Sequence, residues 1–348
     1  MTSAALQQLA TVSGATTLAV LLVALARAPL RGMIGARAAY WLWLAVPASA
    51  IAWVLPRAAP PSGAAAALAQ GFFVWLWTGL DRLISAIGVS DRLGTAAFAL
   101  WAVGALAALA STVARQRAFA RSLGCLVQWP DGTWRSHGVA EPMLVGALRP
   151  RILVPLDFER RFTAEEREFV LAHERAHIRR GDAVVNAVGA VWLCVFWFNP
   201  VMPWAMRLLR LDQDLACDAW VLAGEGNSRR GRYAGALLKA QLSGEWTPSL
   251  PLACHWRSAH PLRRRICALR RPVAGRMRHG LGVLLVSALV ACASFGARAV
   301  QPAFRRLRPA VPHATATTAY AADVHPSGKV CPLTRRAARA RSQAQTRG

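Results

Sequence analysis

The chain has 348 residues, 55% of them hydrophobic, and a mean hydropathy of +0.30. Much of the apolar content falls in long uncharged runs, which argues against a wholly water-soluble enzyme and for a membrane protein. The formal charge of +25 is almost wholly arginine, the only lysines being Lys239 and Lys329, and the arginines sit beside apolar runs. That placement suits lipid headgroups and topology determination better than nucleic acid.

Taken in order, four segments are long and apolar enough to cross a bilayer, which takes about 20 residues: Leu9 to Ala26, Ala38 to Leu55, Leu93 to Val113, and Gly280 to Ala297. The N-terminus has no basic leader or cleavage site, so the first is read as a retained span. Arg27, Arg31 and Arg37 lie between the first two; Arg115, Arg117 and Arg121 follow the third; Arg263, Arg264, Arg265, Arg270, Arg271, Arg276 and Arg278 precede the fourth. By the positive-inside rule all three regions face the cytoplasm. The stretch GFFVWLWTGL, Gly71 to Leu80, is aromatic and followed by Asp81 and Arg82, so it reads as an interfacial helix.

After the third span the texture changes to short β-like runs: CLVQW, PDGTW and MLVGALRPRILVP. Asp131-Gly132 between apolar runs signals a hairpin, and a small antiparallel sheet is expected. Within it GALRPRILVP is either an edge strand able to accept a substrate peptide or an ordinary core strand. Helix resumes at Thr163-Ala-Glu-Glu166, a capping box. The sequence VLAHERAHIRRGD follows, with His173 and His177 four apart and therefore on one helical face. Two imidazoles so placed suit a zinc ion, and Glu174 suits the general base that takes a proton from water.

Ala183 to Met206 carries no charge, yet it connects this motif to the carboxylate-rich RLDQDLACD. A turn at Asn199-Pro200, with Pro203 after it, makes this segment a helical hairpin in or against the membrane. Asp214 and Asp218, four apart, share a face of the following helix, with Asp212 on another, and this acidic pair offers candidates for a third ligand. Asp182 competes for that role, although an unbroken helix would point it about 140° from His177. Tyr233 is either an oxyanion donor or core packing. His255 and His260 have no metal-spaced partner. The seven cysteines are singlets without a Cys-x-x-Cys pair and read as free thiols. From Val300 the chain is rich in Ala, Arg, Pro and Ser, and a disordered extracytoplasmic tail is expected.

The motifs LAHERAHIRRGDAVVN, WFNPVMPW, RLDQDLACDAWVL, GALRPRILVP and HPLRRRICALRR, over roughly Glu141 to Arg271, resemble the BlaR/MecR-type antirepressor family of membrane zinc metallopeptidases. The resemblance implies a mainly α polytopic membrane protein with an α+β gluzincin-like zinc protease domain between the third and fourth transmembrane helices. It divides the chain into a membrane region at 1–114, a cytoplasmic protease domain at 115–278 with its hairpin at 183–206, a fourth span at 279–299 and a tail at 300–348. It implies Zn2+ held by His173, His177 and Asp214, with Glu174 as general base and Asp218 positioning a ligand. Asp214 stands where the family usually has glutamate, one methylene longer.

The function implied is signal transduction at the bacterial inner membrane, by cleavage of the chain itself or of a cytoplasmic transcriptional repressor. The partners are then a protein substrate and membrane lipids, with a homodimer compatible and no direct nucleic-acid contact. The drug-sensing members carry a penicillin-binding domain acylated at Ser-x-x-Lys. Lys239 and Lys329 are preceded at three residues by Ala236 and Pro326, and about 50 residues follow the last span, so that sensor is not expected. Two rivals remain: a non-catalytic signalling scaffold with a degenerate metal site, and a quality-control membrane metallopeptidase. Metal occupancy separates the first, substrate selectivity the second.

Overall fold

The computed structural model describes residues 2–54, 91–242, 254–255, 262–270 and 274–300, all within the first of two units, Met1–Pro302. The expected interfacial helix at Gly71 to Leu80 and the expected tail at 300–348, apart from Val300, lie outside the described residues. The described part is mostly helical with one small sheet.

Helix α1 (Thr2–Ile34) and helix α4 (Asp91–Ser122) bracket two shorter helices, α2 (Ala36–Ala39) and α3 (Ala45–Val54). Among the described residues, Gln8–Ile34 and Arg92–Ser122 are the two stretches long and apolar enough to cross a membrane. On α4 the residues Leu100, Val103 and Leu106 are exposed, as a lipid-facing surface requires. The second expected span is helical from Ala36 to Val54 but not one α-helix, since Tyr40–Leu44 tightens into 3-10 geometry.

The sheet is five-stranded in the order β1-β2-β4-β3-β5: β1 (Val127–Gln128), β2 (Trp134–Ser136), β3 (Met143–Val145), β4 (Arg151–Pro155) and β5 (Cys254–His255). The Asp131-Gly132 hairpin forms as expected, pairing β1 and β2 antiparallel. The sheet is nonetheless mixed, because β2 and β4 run parallel, Trp134 opposite Leu153. Strand β4 pairs on both sides, with β2 and with β3, so GALRPRILVP ends in a central strand and its edge reading is corrected. Ile152, Leu153 and Val154 are buried accordingly.

After a short helix α5 (Phe158–Arg161), α6 (Ala164–Arg180) starts at the expected capping box: the Glu166 amide donates to Thr163 Oγ1, and the Thr163 amide to Glu166 Oε2. It stops at Gly181, whose φ of 70° is the left-handed C-cap conformation glycine adopts without strain. The hairpin then follows as α7 (Asp182–Val195) and α8 (Val201–Val221), with Pro200 as the N-cap of α8. At its tip Asn199 Oδ1 accepts from the Val201 amide, while Nδ2 donates to Ser13 Oγ and Thr17 Oγ1 of α1. Trp197 at the tip lies against Gly104 of α4, where a Cβ would come within 2.3 Å of the indole. The remaining described helices are α9 (Asn227–Leu242), α10 (Leu262–Leu269) and α11 (Arg276–Val300).

Two main hydrophobic clusters result. One joins α1, the 36–54 segment, the hairpin and α11 through residues such as Val20, Trp43, Phe196, Leu209 and Val286. The other joins the sheet, α6, α9 and α10 through Leu144, Val154, Phe169, Leu237 and Leu269. Helix α8 runs between them.

Thr163→Ala removes the cap and is expected to lower stability by about 0.5–2 kcal/mol. Thermal unfolding in detergent measures this, and metal content should be unchanged because Thr163 is remote from the histidine turn.

Candidate metal centre

The polar site lies where the last two turns of α6 meet the middle of α8. Spacing by four puts His173 and His177 on one face of α6, and both side chains are essentially inaccessible to solvent. Their Nε2 atoms lie 3.1 Å apart. From α8, Asp214 Oδ1 comes within 3.8 Å of His177 Nε2. One ligand atom from each of the three falls within 4.8 Å of the others. The shorter aspartate reaches because α6 and α8 pack directly on each other.

The outer nitrogens are held by a second set of acids. His173 Nδ1 lies 3.1 Å from Asp218 Oδ1, and His177 Nδ1 lies 2.7 Å from Asp182 Oδ2. With each Nδ1–H donating to its carboxylate, both Nε2 atoms become acceptors. Two facing lone pairs at 3.1 Å repel unless a cation lies between them, and tetrahedral zinc would set two such nitrogens about 3.3 Å apart. Burial holds the His173 imidazole down to about 3, so it stays neutral as a ligand requires.

Glu174 is fully buried, and among the described residues neither carboxylate oxygen has a hydrogen-bond partner. Burial pushes its carboxyl up to about 8. A buried carboxyl without partners is costly to maintain, which makes it a group awaiting something absent from the chain itself. These residues therefore fit a divalent metal.

Asp218 carries the heaviest network. Arg265 of α10 donates to it from Nε at 2.8 Å and from Nη2 at 2.6 Å, and Tyr233 of α9 donates its hydroxyl at 2.6 Å. Burial alone would raise the Asp218 carboxyl, but the Arg265 charge outweighs it and holds it well below the usual carboxylate range. Tyr233, packed edge-on against Phe169, has its hydroxyl 3.2 Å from His173 Nδ1. It faces the Nδ1 edge of the ring, whereas the oxyanion-donor alternative left open by the sequence beside core packing requires the Nε2 side.

Asp182 begins a new helix, because Gly181 turns the chain back and brings its carboxylate behind His177. Its other oxygen accepts from the Tyr40 hydroxyl at 3.1 Å and lies 3.4 Å from Arg180 Nη2. The Arg180 guanidinium stacks 4.1 Å over the Tyr40 ring. Cys217 Sγ lies 3.4 Å from His177 Nδ1, and burial pushes this thiol up. Asp212, on the opposite face of α8, accepts from Arg27 at 3.1 Å, Arg31 at 2.7 Å and Trp43 at 2.9 Å. His255 falls on β5, and His260 lies outside the described residues.

Three of these contacts are not legible in the sequence. Arg265 stands among arginines whose placement suits headgroups, yet it is 2% exposed and bound to Asp218. Tyr40 lies inside an apolar run with no neighbour that marks it. The 140° between Asp182 and His177 holds only along an unbroken helix, and Gly181 is the stop signal that breaks it.

A family model described as BlaR1 peptidase M56 matches residues 7–269. The regulatory protein BlaR1 of Bacillus licheniformis is 30% identical over 133 residues, 38% of this chain and 22% of that protein. The methicillin resistance mecR1 protein of Staphylococcus aureus is 26% identical over 107 residues, 31% of this chain and 18% of that protein. The aligned stretches thus span about a fifth of the length of these relatives.

Replacing Arg265 by methionine leaves Asp218 charged and buried without its main partner, and should destabilise the protein by about 3–5 kcal/mol. Chemical unfolding checks this, and adding Asp218→Asn to the same chain should recover part of the loss.

Proposed function

The chain belongs to the BlaR1 peptidase M56 family, and from that premise we propose that it is a membrane-anchored, zinc-dependent endopeptidase of signal transduction. Its substrate in this reading is the chain itself, a cytoplasmic transcriptional repressor, or both. The observation that carries the proposal is the convergence of the two Nε2 atoms and Asp214 beside a buried, unpartnered Glu174.

His173, His177 and Asp214 would hold the metal. When bound, the cation supplies Lewis-acid polarisation of water and of the scissile carbonyl. Glu174 takes a proton from the attacking water and returns it to the leaving amine nitrogen; its carboxyl, lifted toward neutrality by burial, suits both directions. Asp218 and Asp182 fix the tautomers of the two imidazoles and point both Nε2 atoms inward. Tyr233 and Arg265 hold Asp218 in turn.

The membrane assignment in this reading places α1, the 36–54 segment, α4 and α11 in the bacterial inner membrane, with the 115–278 domain on the cytoplasmic side. The hairpin at 183–206 lies in or against the membrane; its exposed Val184, Val188, Val191, Trp197 and Phe198 support that position. Arginines at the ends of the apolar helices support the orientation.

Elemental mass spectrometry on detergent-purified chain should find close to one zinc per chain, lost in His173→Ala and reduced in Asp214→Ala. A folded, chelator-free chain without metal would exclude the peptidase reading in favour of a scaffold. Glu174→Gln should keep its zinc and lose about 100-fold to 10,000-fold in cleavage rate. Undiminished cleavage by that variant would remove Glu174 from the mechanism.

A further inference from the structure

A second site lies on the other side of α8. A cavity of about 450 Å³ opens between the end of α1, the turn into α2, α8 and α10, a volume within the ordinary range for small-molecule sites. Arg27, Arg31, Arg37, Arg230 and Arg264 line it, and its one lining carboxylate is Asp218. The Asp218 charge is already matched by Arg265. Arg27 and Arg31 share a single acid, Asp212. Among the described residues no carboxylate pairs with Arg37, Arg230 or Arg264, and Arg37 stacks on the Trp220 ring at 4.7 Å. Among the described residues the Nε atoms of Arg27 and Arg230 are buried without a hydrogen-bond partner.

Five guanidiniums around one cavity with so little compensating charge repel one another unless an anion enters. The unused donors are guanidinium forks, which match phosphate oxygens in pairs. A phosphate presents tetrahedrally arranged oxygens that accept from more than one such fork at once, whether as a singly charged diester or as a more highly charged monoester. The location is equally specific. The cavity lies beside Ile34, where the apolar part of α1 ends, and reaches His279, where α11 leaves its arginine-rich start. That is headgroup depth for a chain embedded as proposed above.

We propose that this arginine-lined cavity binds a phosphate group, with the phosphate of an anionic phospholipid as its source in the membrane and a soluble phosphate compound as the alternative source. The site does not depend on peptidase activity; only its lipid source rests on the membrane reading. Because Asp218 forms part of its wall, an occupant lies one side chain away from His173.

The test uses the full chain in neutral detergent and phosphate-free buffer, titrated with short-chain phosphatidylglycerol, with inorganic pyrophosphate, and with phosphate-free diacylglycerol. Binding is read by native mass spectrometry and by the shift in melting temperature. Saturable binding of one phosphate compound per chain is expected, weakened about tenfold in the Arg230→Gln, Arg264→Gln double variant. The exposed pair Arg117→Gln, Arg121→Gln removes the same charge away from the cavity and should cost no more than about twofold. Phosphatidylglycerol binding alone assigns a lipid headgroup; equal or tighter pyrophosphate binding assigns a soluble phosphate. If neither binds saturably, if diacylglycerol binds equally well, or if both variant pairs weaken binding alike, the proposal is overturned. Should the double variant not fold, Arg264→Gln alone, at the exposed mouth, carries the test with an expected loss of about threefold. The outcome is independent of zinc content and cleavage, so failure here leaves the peptidase reading untouched, and the reverse also holds.

Discussion

One buried carboxylate ties the protein's polar architecture together. Asp218 on α8 meets His173 on α6, Tyr233 on α9 and Arg265 on α10, so a single acid joins four helices. Burying a carboxylate and a guanidinium costs several kcal/mol for each ion, and the pair holds only when geometry is good and the remaining lone pairs are used. Here the two arginine nitrogens and the phenol supply that. The arrangement has a consequence for α6: the His173 ring cannot rotate without breaking a contact to a fully committed acid.

Helix α8 distributes this constraint. Asp214 and Asp218 lie about 40° apart around its axis, while Asp212 falls on the far side. The first pair faces the histidines; Asp212 is bound to α1 through Arg27 and Arg31 and to the 3-10 segment through Trp43. The proposed metal ligand is therefore two residues from an anchor in the apolar helices. A second tie runs from Tyr40 through Asp182 to His177, and a third fastens the hairpin tip to α1 through Asn199. Contacts thus run from α1 to α8 at Asp212 and at the hairpin tip, and from the Tyr40 segment to His177 through Asp182.

What could be read from the sequence was local. The capping box of α6, the hairpin at Asp131-Gly132, the turn at Asn199-Pro200, and the two pairs spaced by four all depend on neighbours within a few residues, and all recur in the fold. The unread parts depend on partners far along the chain. Nothing near Arg265 distinguishes it from Arg263 or Arg264; only the position of Asp218, 47 residues away, does. Likewise the parallel pairing of β2 with β4 depends on β3 returning antiparallel beside β4, which short apolar runs do not encode. The 3-10 stretch at Tyr40–Leu44 lies inside a run whose hydropathy reads as an ordinary span, because hydropathy is blind to helix pitch.

The aspartate at position 214 illustrates how such distant constraints set local chemistry. With one methylene fewer than glutamate, its carboxylate reaches the histidines only if the backbone of α8 comes closer to α6. The seam allows this: Cys217, about one turn on, is fully buried and its sulfur lies beside the His177–Asp182 contact, 3.4 Å from the imidazole Nδ1 and 3.7 Å from the carboxylate, where a larger side chain would wedge the helices apart. Arg180 closes the same seam from α6 by donating to the Gln213 carbonyl. The proposed ligand and the spacing of its helix are thus one choice rather than two. A longer carboxylate at 214 would have to fold back into a packed interior, at a cost set by how rigidly Asp212 and Asp218 hold α8 on its two sides.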